Sequence, residues 1–190
     1  MTQAIQKKLN DSAFARWTAL ILVALTMFFG YMFVDVLSPL QNMLESTRGW
    51  SPTIFGLYGG LRFILNVCGF LLVAGIILDK MGVRFTGILS ASLMVLGAGI
   101  KFYGLSNYFY EGGFGYEFLS SFLTDIPASA KLACLGFMVF GCGTEMAGVT
   151  VSRAIVKWFT GKELALAMGL EMAIARLGGF VVFRLLPWVG

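Results

Sequence analysis

The sequence predicts an all-α membrane protein that crosses the bilayer five times, and three observations carry that prediction. Of 190 residues, 58% are hydrophobic and 13% charged, with a mean hydropathy of +0.83, far from the mix found in soluble domains. Apolar stretches of roughly 20 residues, the length a helix needs to cross a bilayer core of about 30 Å, occur near 17–37, 53–78, 83–103, 132–156 and 164–186. Ser38-Pro39, Ser51-Pro52 and Asp125-Ile126-Pro127 fall between spans, where turns and helix starts are expected.

Span one follows Lys7-Lys8. Its apolar run is longer than the core of a secretory signal and no small-residue cleavage site follows it, so it is expected to stay in the protein. It carries Tyr31 and Asp35, four residues apart and therefore on one helix face, with Asp35 near the outer end. Span two carries Tyr58, Arg62 and Asn66 at i, i+4 and i+8, a polar stripe suited to lining an aqueous cavity. Gly56 and Gly60 on span two, and Gly97 and Gly99 on span three, are small residues of the kind that let membrane helices approach closely. The longest connection, 104–130, places Tyr108, Phe109 and Tyr110 where aromatic side chains anchor at headgroup level. Span four embeds Glu145 in Gly-Cys-Gly-Thr-Glu-Met-Ala-Gly, 141–148, and span five carries Glu171 and Arg176. A lone ionised group is costly in hydrocarbon, so each is a functional-site candidate.

With the N-terminus in the cytoplasm, the inner ends hold Lys7, Lys8, Arg16, Lys80, Arg84, Lys157 and Lys162, and the outer ends hold Arg48, Lys101, Lys131 and Arg184. That excess of basic residues favours this orientation. There is no histidine, which removes the usual proton shuttle and the commonest metal ligand. No nucleophile–base set or metal-ligand cluster is visible, so neither an enzyme nor a cofactor is expected. Cys68, Cys134 and Cys142 are odd in number and lie in apolar spans, as packing residues rather than a disulfide framework.

Between spans two and three the chain reads Gly75-Ile-Ile-Leu-Asp79-Lys80-Met-Gly82-Val-Arg84. Physically this is a tight cytoplasmic turn in which Gly82 permits a conformation other residues resist, while Asp79 can cap a helix or pair with a base. At this position it resembles the signature loop of the major facilitator superfamily, secondary transporters of twelve spans in two six-helix halves. The resemblance implies that Asp79, Lys80 and Arg84 belong to a charge network that holds a closed state. Val83 stands where a second basic residue is usual. A closer resemblance, to the lysosomal dipeptide uniporters and their bacterial relatives, rests on Gly143-Thr-Glu145, Lys157-Trp-Phe-Thr-Gly-Lys-Glu-Leu164, Gly169-Leu170, Ala175-Arg-Leu-Gly178 and, on span one, Tyr31 and Asp35. Arg62 departs from that pattern. The resemblance implies an N-terminal six-helix bundle, here with five spans over residues 1–190, its sixth span and C-terminal half being expected beyond Gly190. It also implies a bacterial inner membrane, or a lysosomal one for an animal chain.

Glu145 lies 15 residues before Thr160 and Arg176 lies 16 after it. A rise of about 1.5 Å per residue puts both near mid-membrane, and Arg62, counted back from Asp79, reaches a similar level. Opposite charges at equal depth on consecutive helices can meet, so Glu145 and Arg176 are expected as partners. Glu171, about 140° round the helix from Arg176, is set against Arg153 or another helix. One carboxylate with two guanidiniums suits a zwitterion, a short peptide or amino acid, whose carboxylate Arg62 or Arg176 would grip and whose ammonium Glu145 would accept. An organic or inorganic anion exchanger using Arg62 and Arg176 is the alternative, and a non-transporting scaffold or partner subunit is the second. The expected partners are a small solute, the lipid bilayer and the second half of the same polypeptide, with no nucleic acid.

Overall fold

The computed structural model describes residues 12–185, so Lys7, Lys8, Leu186 and Gly190 lie outside the described residues. Helix α1, Ala13–Asp35, starts at Ser12, whose hydroxyl accepts from the Ala15 amide. A short 3-10 turn, Ser38–Leu40, and α2, Gln41–Arg48, lead into α3, Pro52–Leu65. Ser51 caps α3 and Pro52 opens it, as proline at a first helical position is pre-organised to do. A π-helical turn, Asn66–Phe70, joins α3 to α4, Leu71–Leu105. The short α5, Asn107–Tyr110, and α6, Tyr116–Ser120, precede α7, Ala128–Phe159, and α8, Leu164–Leu185.

Four continuous helical stretches are long and apolar enough to cross a membrane, and the second, Pro52–Leu105, has 54 residues. At about 1.5 Å per residue that is more than twice a bilayer core, and the stretch is in fact two crossings. Its break is Gly82, at φ 78° and ψ 172°. Before the break the chain runs parallel to α7: Trp50 bonds Ser129, Tyr58 stacks on Phe137 and Asp79 reaches Arg153. After it the chain runs antiparallel, with Gly87 beside Thr150, Gly97 against Phe140 and Gly104 against Leu132. Helix α8 lies parallel to α1, Gly178 meeting Phe28 and Met32 and Gly179 meeting Asp35. Spans one and five can run parallel only if an even number of reversals separates them, which a single crossing over 52–105 would not supply. The five expected spans are therefore present.

The Gly82 conformation falls in a region that only glycine occupies without strain. Gly82→Ala is expected to lower stability by about 1–3 kcal/mol. The check is the temperature at which detergent-solubilised protein loses its monodisperse elution peak; an unchanged temperature would contradict the assignment.

Two apolar clusters organise the bundle. The outer one gathers Leu37, Leu44, Trp50, Ile54, Tyr58, Ala130, Ala133, Cys134, Phe137 and Phe140. The inner one gathers Leu20, Val151, Ile155, Phe159 and Ala167. On α7 the interval between them is the stretch around Glu145. Cys134 and Cys142 are buried, in line with packing roles, whereas Cys68 is exposed. In the outer loop Tyr108 and Tyr110 are exposed as interfacial anchors would be, but Phe109 is fully buried, its ring edge-on to Tyr103 and Tyr116. The three-aromatic anchor is thus corrected to two, because a helical turn at 107–110 cannot present three consecutive side chains to one side.

The small residues also divide. Gly97 is packed against the backbone of α7, whereas nothing lies within 4 Å of where a Cβ would stand at Gly56, Gly60 or Gly99. Of these four glycines, only Gly97 permits a close approach, between spans three and four.

Candidate solute site

Between the two apolar clusters α1, α3 and α7 enclose a cavity of about 90 Å³ lined by Tyr31, Arg62, Thr144 and Glu145 with Met27, Gly30, Val34 and Gly148. Three of the residues singled out from the sequence, Tyr31, Arg62 and Glu145, thus meet at one level from three helices. Helical phase explains the convergence: Met27, Tyr31 and Val34 repeat every three to four residues along α1, and on α7 Gly148 follows Thr144 by four residues and Glu145 by three. Thr144 turns its hydroxyl back to the Gly141 carbonyl at 2.9 Å, which leaves Glu145 as the strongest acceptor facing the cavity.

Arg176 approaches differently from the expectation. No ion pair within 4.0 Å joins it to Glu145 among the described residues. Its guanidinium lies 5.2 Å from the centre of the Tyr31 ring, a cation–π contact. The reason is packing: α8 lies along α1, which brings Arg176 onto the Tyr31 ring of that helix. Matching depth was correct, but depth does not specify which helix neighbours which.

The stripe on span two is real and incompletely satisfied. Tyr58 is buried and stacks on Phe137 at 4.3 Å, yet its hydroxyl has no hydrogen-bond partner. Arg62 Nε and both polar atoms of the Asn66 amide are likewise buried and unpaired among the described residues. The Arg62 guanidinium lies over the Phe63 ring at 4.1 Å and 5.9 Å from Phe137. A buried polar group without a partner costs about 1–3 kcal/mol, so a row of them on one helix needs a reason beyond packing. Only Arg62 of this row lines the small cavity.

Asp35 stands one turn outward of Tyr31, its Oδ2 packed against Gly179 of α8. Arg62, Arg176 and Lys101 all lie within Coulombic reach of it. Lys101 escaped the sequence reasoning, which placed it among outer-end basic residues. It is buried, 4% exposed, and its ammonium donates to the Phe33 carbonyl at 2.8 Å. The signal was present: Lys101 shares a helix face with Gly97 and Gly104, both packed on α7, so it too had to point into the bundle. The π-helical turn at Asn66–Phe70, with Gly69 at φ 99°, was also missed, because periodicity does not register one extra residue in a helix.

At the end of the bundle that carries the Gly82 break, Asp79 Oδ1 lies 3.5 Å from the Arg153 guanidinium, with both side chains mostly exposed. Asp79, Gly82, Arg84, Arg153 and Lys157 line a cavity of about 780 Å³ there. The base that Asp79 meets is thus on span four rather than in its own loop; Lys80 is exposed and Gly75 has nothing within 4 Å of a Cβ position. Glu171 is buried on α8, and the partner suggested for it, Arg153, is instead held by Asp79. Arg16 reaches Glu163 at 3.6 Å and lies over Phe159 at 5.9 Å, tying the start of span one to the turn before span five.

Comparison with known proteins adds lineage to this geometry. The lysosomal dipeptide transporter MFSD1 of Mus musculus is 44% identical over 55 residues, 29% of this chain and 12% of that protein. Its Homo sapiens counterpart is 43% identical over 54 residues, again 12% of its length. The solute carrier family 49 member 4 homolog of Xenopus tropicalis is 28% identical over 180 residues, 92% of this chain and 34% of that protein. The chain is a homologue of the major facilitator superfamily transporters. It is a multi-pass integral membrane protein, as its long apolar helices and these relatives together show. The superfamily relatives it matches are much longer, and its matches span between 12% and 34% of their lengths. No family model matches the chain, and no solved structure matches it.

Proposed function

We propose that this chain supplies the N-terminal bundle of an alternating-access carrier for small zwitterionic solutes, short peptides or amino acids. The observation that carries the proposal is the cavity in which Glu145, Arg62 and Tyr31 converge, with Arg176 in cation–π contact with the Tyr31 ring. Glu145 accepts the ammonium of the solute, and the guanidiniums of Arg62 and Arg176 take its carboxylate. Tyr31, lining the cavity with Glu145 and in contact with Arg176, positions both ends. Tyr58 and Asn66 add hydrogen-bonding groups above and below, and Asp35 balances the cations. Whole ligand sites occupy roughly 300–1,000 Å³, several times this cavity of about 90 Å³, so the bundle contributes one wall and a second bundle the other. The printed name of the MFSD1 relatives, lysosomal dipeptide transporters, supports the same solute class.

Solute binding biases the carrier between inward- and outward-facing states, and Asp79, held by Arg153 of the same bundle, stands where the second bundle meets this end as it closes. Asp79→Asn is expected to change stability by less than about 1 kcal/mol, since the pair is solvent-exposed, while lowering the transport rate. Stability and rate falling together would remove the gating role. The test of the whole proposal is uptake of a labelled dipeptide by the complete protein in proteoliposomes, against labelled lactate and nitrate. Saturable dipeptide uptake is expected. The cluster of three cations around Asp35 favours one second function, exchange of anions through Arg62 and Arg176; uptake of lactate or nitrate without dipeptide would establish it.

A further inference from the structure

The most heavily built charged group outside the cavity is Lys101. It comes from span three, is buried at 4% exposure, and is flanked by the Phe137 and Phe140 rings at 5.0 and 5.4 Å. Its one hydrogen bond goes to the carbonyl of Phe33, in the last turn of α1. The last carbonyls of a helix have no partner within it, and the helix dipole favours a cation there, so Lys101 caps span one from a neighbouring helix. An ammonium carries three donors, and one suffices for the cap. The end of α1 that it caps also carries Asp35, the single acid among Arg62, Arg176 and Lys101. Arg62, Arg176 and Lys101 against Asp35 and the cavity-lining Glu145 leave one positive charge in excess beside the solute cavity. A cap alone needs no such excess.

We propose that Lys101 is a specificity-determining residue: together with Asp35 it sets the positive charge of the outer part of the chamber, and so the affinity for the carboxylate end of the solute. The inference deepens the proposed function and rests on it. Arg62 and Arg176 make the contact with the solute; Lys101, held away from the cavity, acts through the field. Through a medium of intermediate dielectric, loss of one such buried charge weakens binding of an anionic group by about tenfold.

Charge and cap separate experimentally. Lys101→Met removes both, Lys101→Arg keeps the charge, Asp35→Asn adds one positive charge, and Lys101→Met with Asp35→Asn restores the original balance without restoring the cap. In proteoliposomes of the complete protein, Lys101→Met is expected to raise KM for a labelled dipeptide about tenfold with little change for the same dipeptide as its C-terminal amide. Lys101→Arg stays near the parent value, Asp35→Asn lowers KM for the acid, and the double variant returns KM toward the parent value. Thermal stability behaves otherwise, falling in both variants that lack the cap. Equal losses of affinity in Lys101→Met and in the double variant would overturn the inference, as would equal effects on acid and amide. If the parent protein takes up no dipeptide, the peptide assignment falls and labelled lactate replaces the probe in the same four variants. A KM for lactate that ignores all four would overturn the charge-setting role, and so would the absence of any carboxylate uptake.

Discussion

Glu145→Gln is expected to abolish saturable dipeptide uptake, raising KM by about a hundredfold or more, because truncating one partner of a desolvated charge pair costs about 2–5 kcal/mol. The amide keeps the shape of the side chain and its hydrogen-bonding oxygen but loses the charge. Among the described residues Glu145 has no ion-pair partner within 4.0 Å, so the substitution breaks no bridge there, and folding is expected to survive it. That separates this residue from a structural acid. A second probe sharpens the result: a dipeptide acetylated at its N-terminus has no ammonium to offer. It should be transported as poorly by the parent protein as the free dipeptide is by Glu145→Gln, and the variant should not discriminate between the two. If the variant keeps dipeptide uptake within about threefold of the parent, well under the cost of a desolvated pair, Glu145 does not receive the ammonium. If it loses dipeptide uptake but still carries lactate, the cations define the site and anion exchange becomes the activity.

The parts of this site that were legible in the sequence are those that depend on distance along a helix. Five apolar runs give five crossings, and counting at a fixed rise places Glu145, Arg62 and Arg176 at one depth. The spacing of Tyr58, Arg62 and Asn66 gives their common face. What could not be read is which helix stands beside which. The ion pair between Glu145 and Arg176 was expected from equal depth on consecutive helices, yet α8 packs on α1 and sets Arg176 against the Tyr31 ring instead. Asp79 was expected in a charge network with Lys80 and Arg84 and pairs with Arg153 on α7, because span two runs parallel to that helix and brings these ends together. Lys101 was placed by its distance from a span end, while its burial follows from the face it shares with Gly97. The π-helical turn shifts residues beyond Phe70 in phase by one position, so angular arguments from Arg62 towards Asp79 accumulate an error that counting cannot detect.

Gly97→Leu is expected to destroy the fold outright, with no folded protein recovered after solubilisation. A Cβ at this position would stand 2.4 Å from the Phe140 amide nitrogen and 2.6 Å from the Gly136 carbonyl oxygen, distances at which backbone must move. Side chains at a crowded position can rotate away, and overpacking a core then costs about 1–3 kcal/mol, but a helix backbone has no rotamer to change. Spans three and four would have to separate, and in lipid the separation is not offset by a hydrophobic gain, since close packing and hydrogen bonding are what hold membrane helices together. The consequence reaches the site through two routes. Gly97 lies one turn from Lys101, whose ammonium caps α1, and Phe140 lies one turn from Thr144 and Glu145, which face the cavity. Gly97→Ala divides the argument more finely, because it adds the clashing Cβ and nothing else. It is expected to be recovered at reduced yield with uptake impaired, whereas Gly99→Ala on the same span, where a Cβ meets nothing within 4 Å, should behave as the parent protein. Equal behaviour of the two alanine variants would mean that spans three and four do not touch at Gly97.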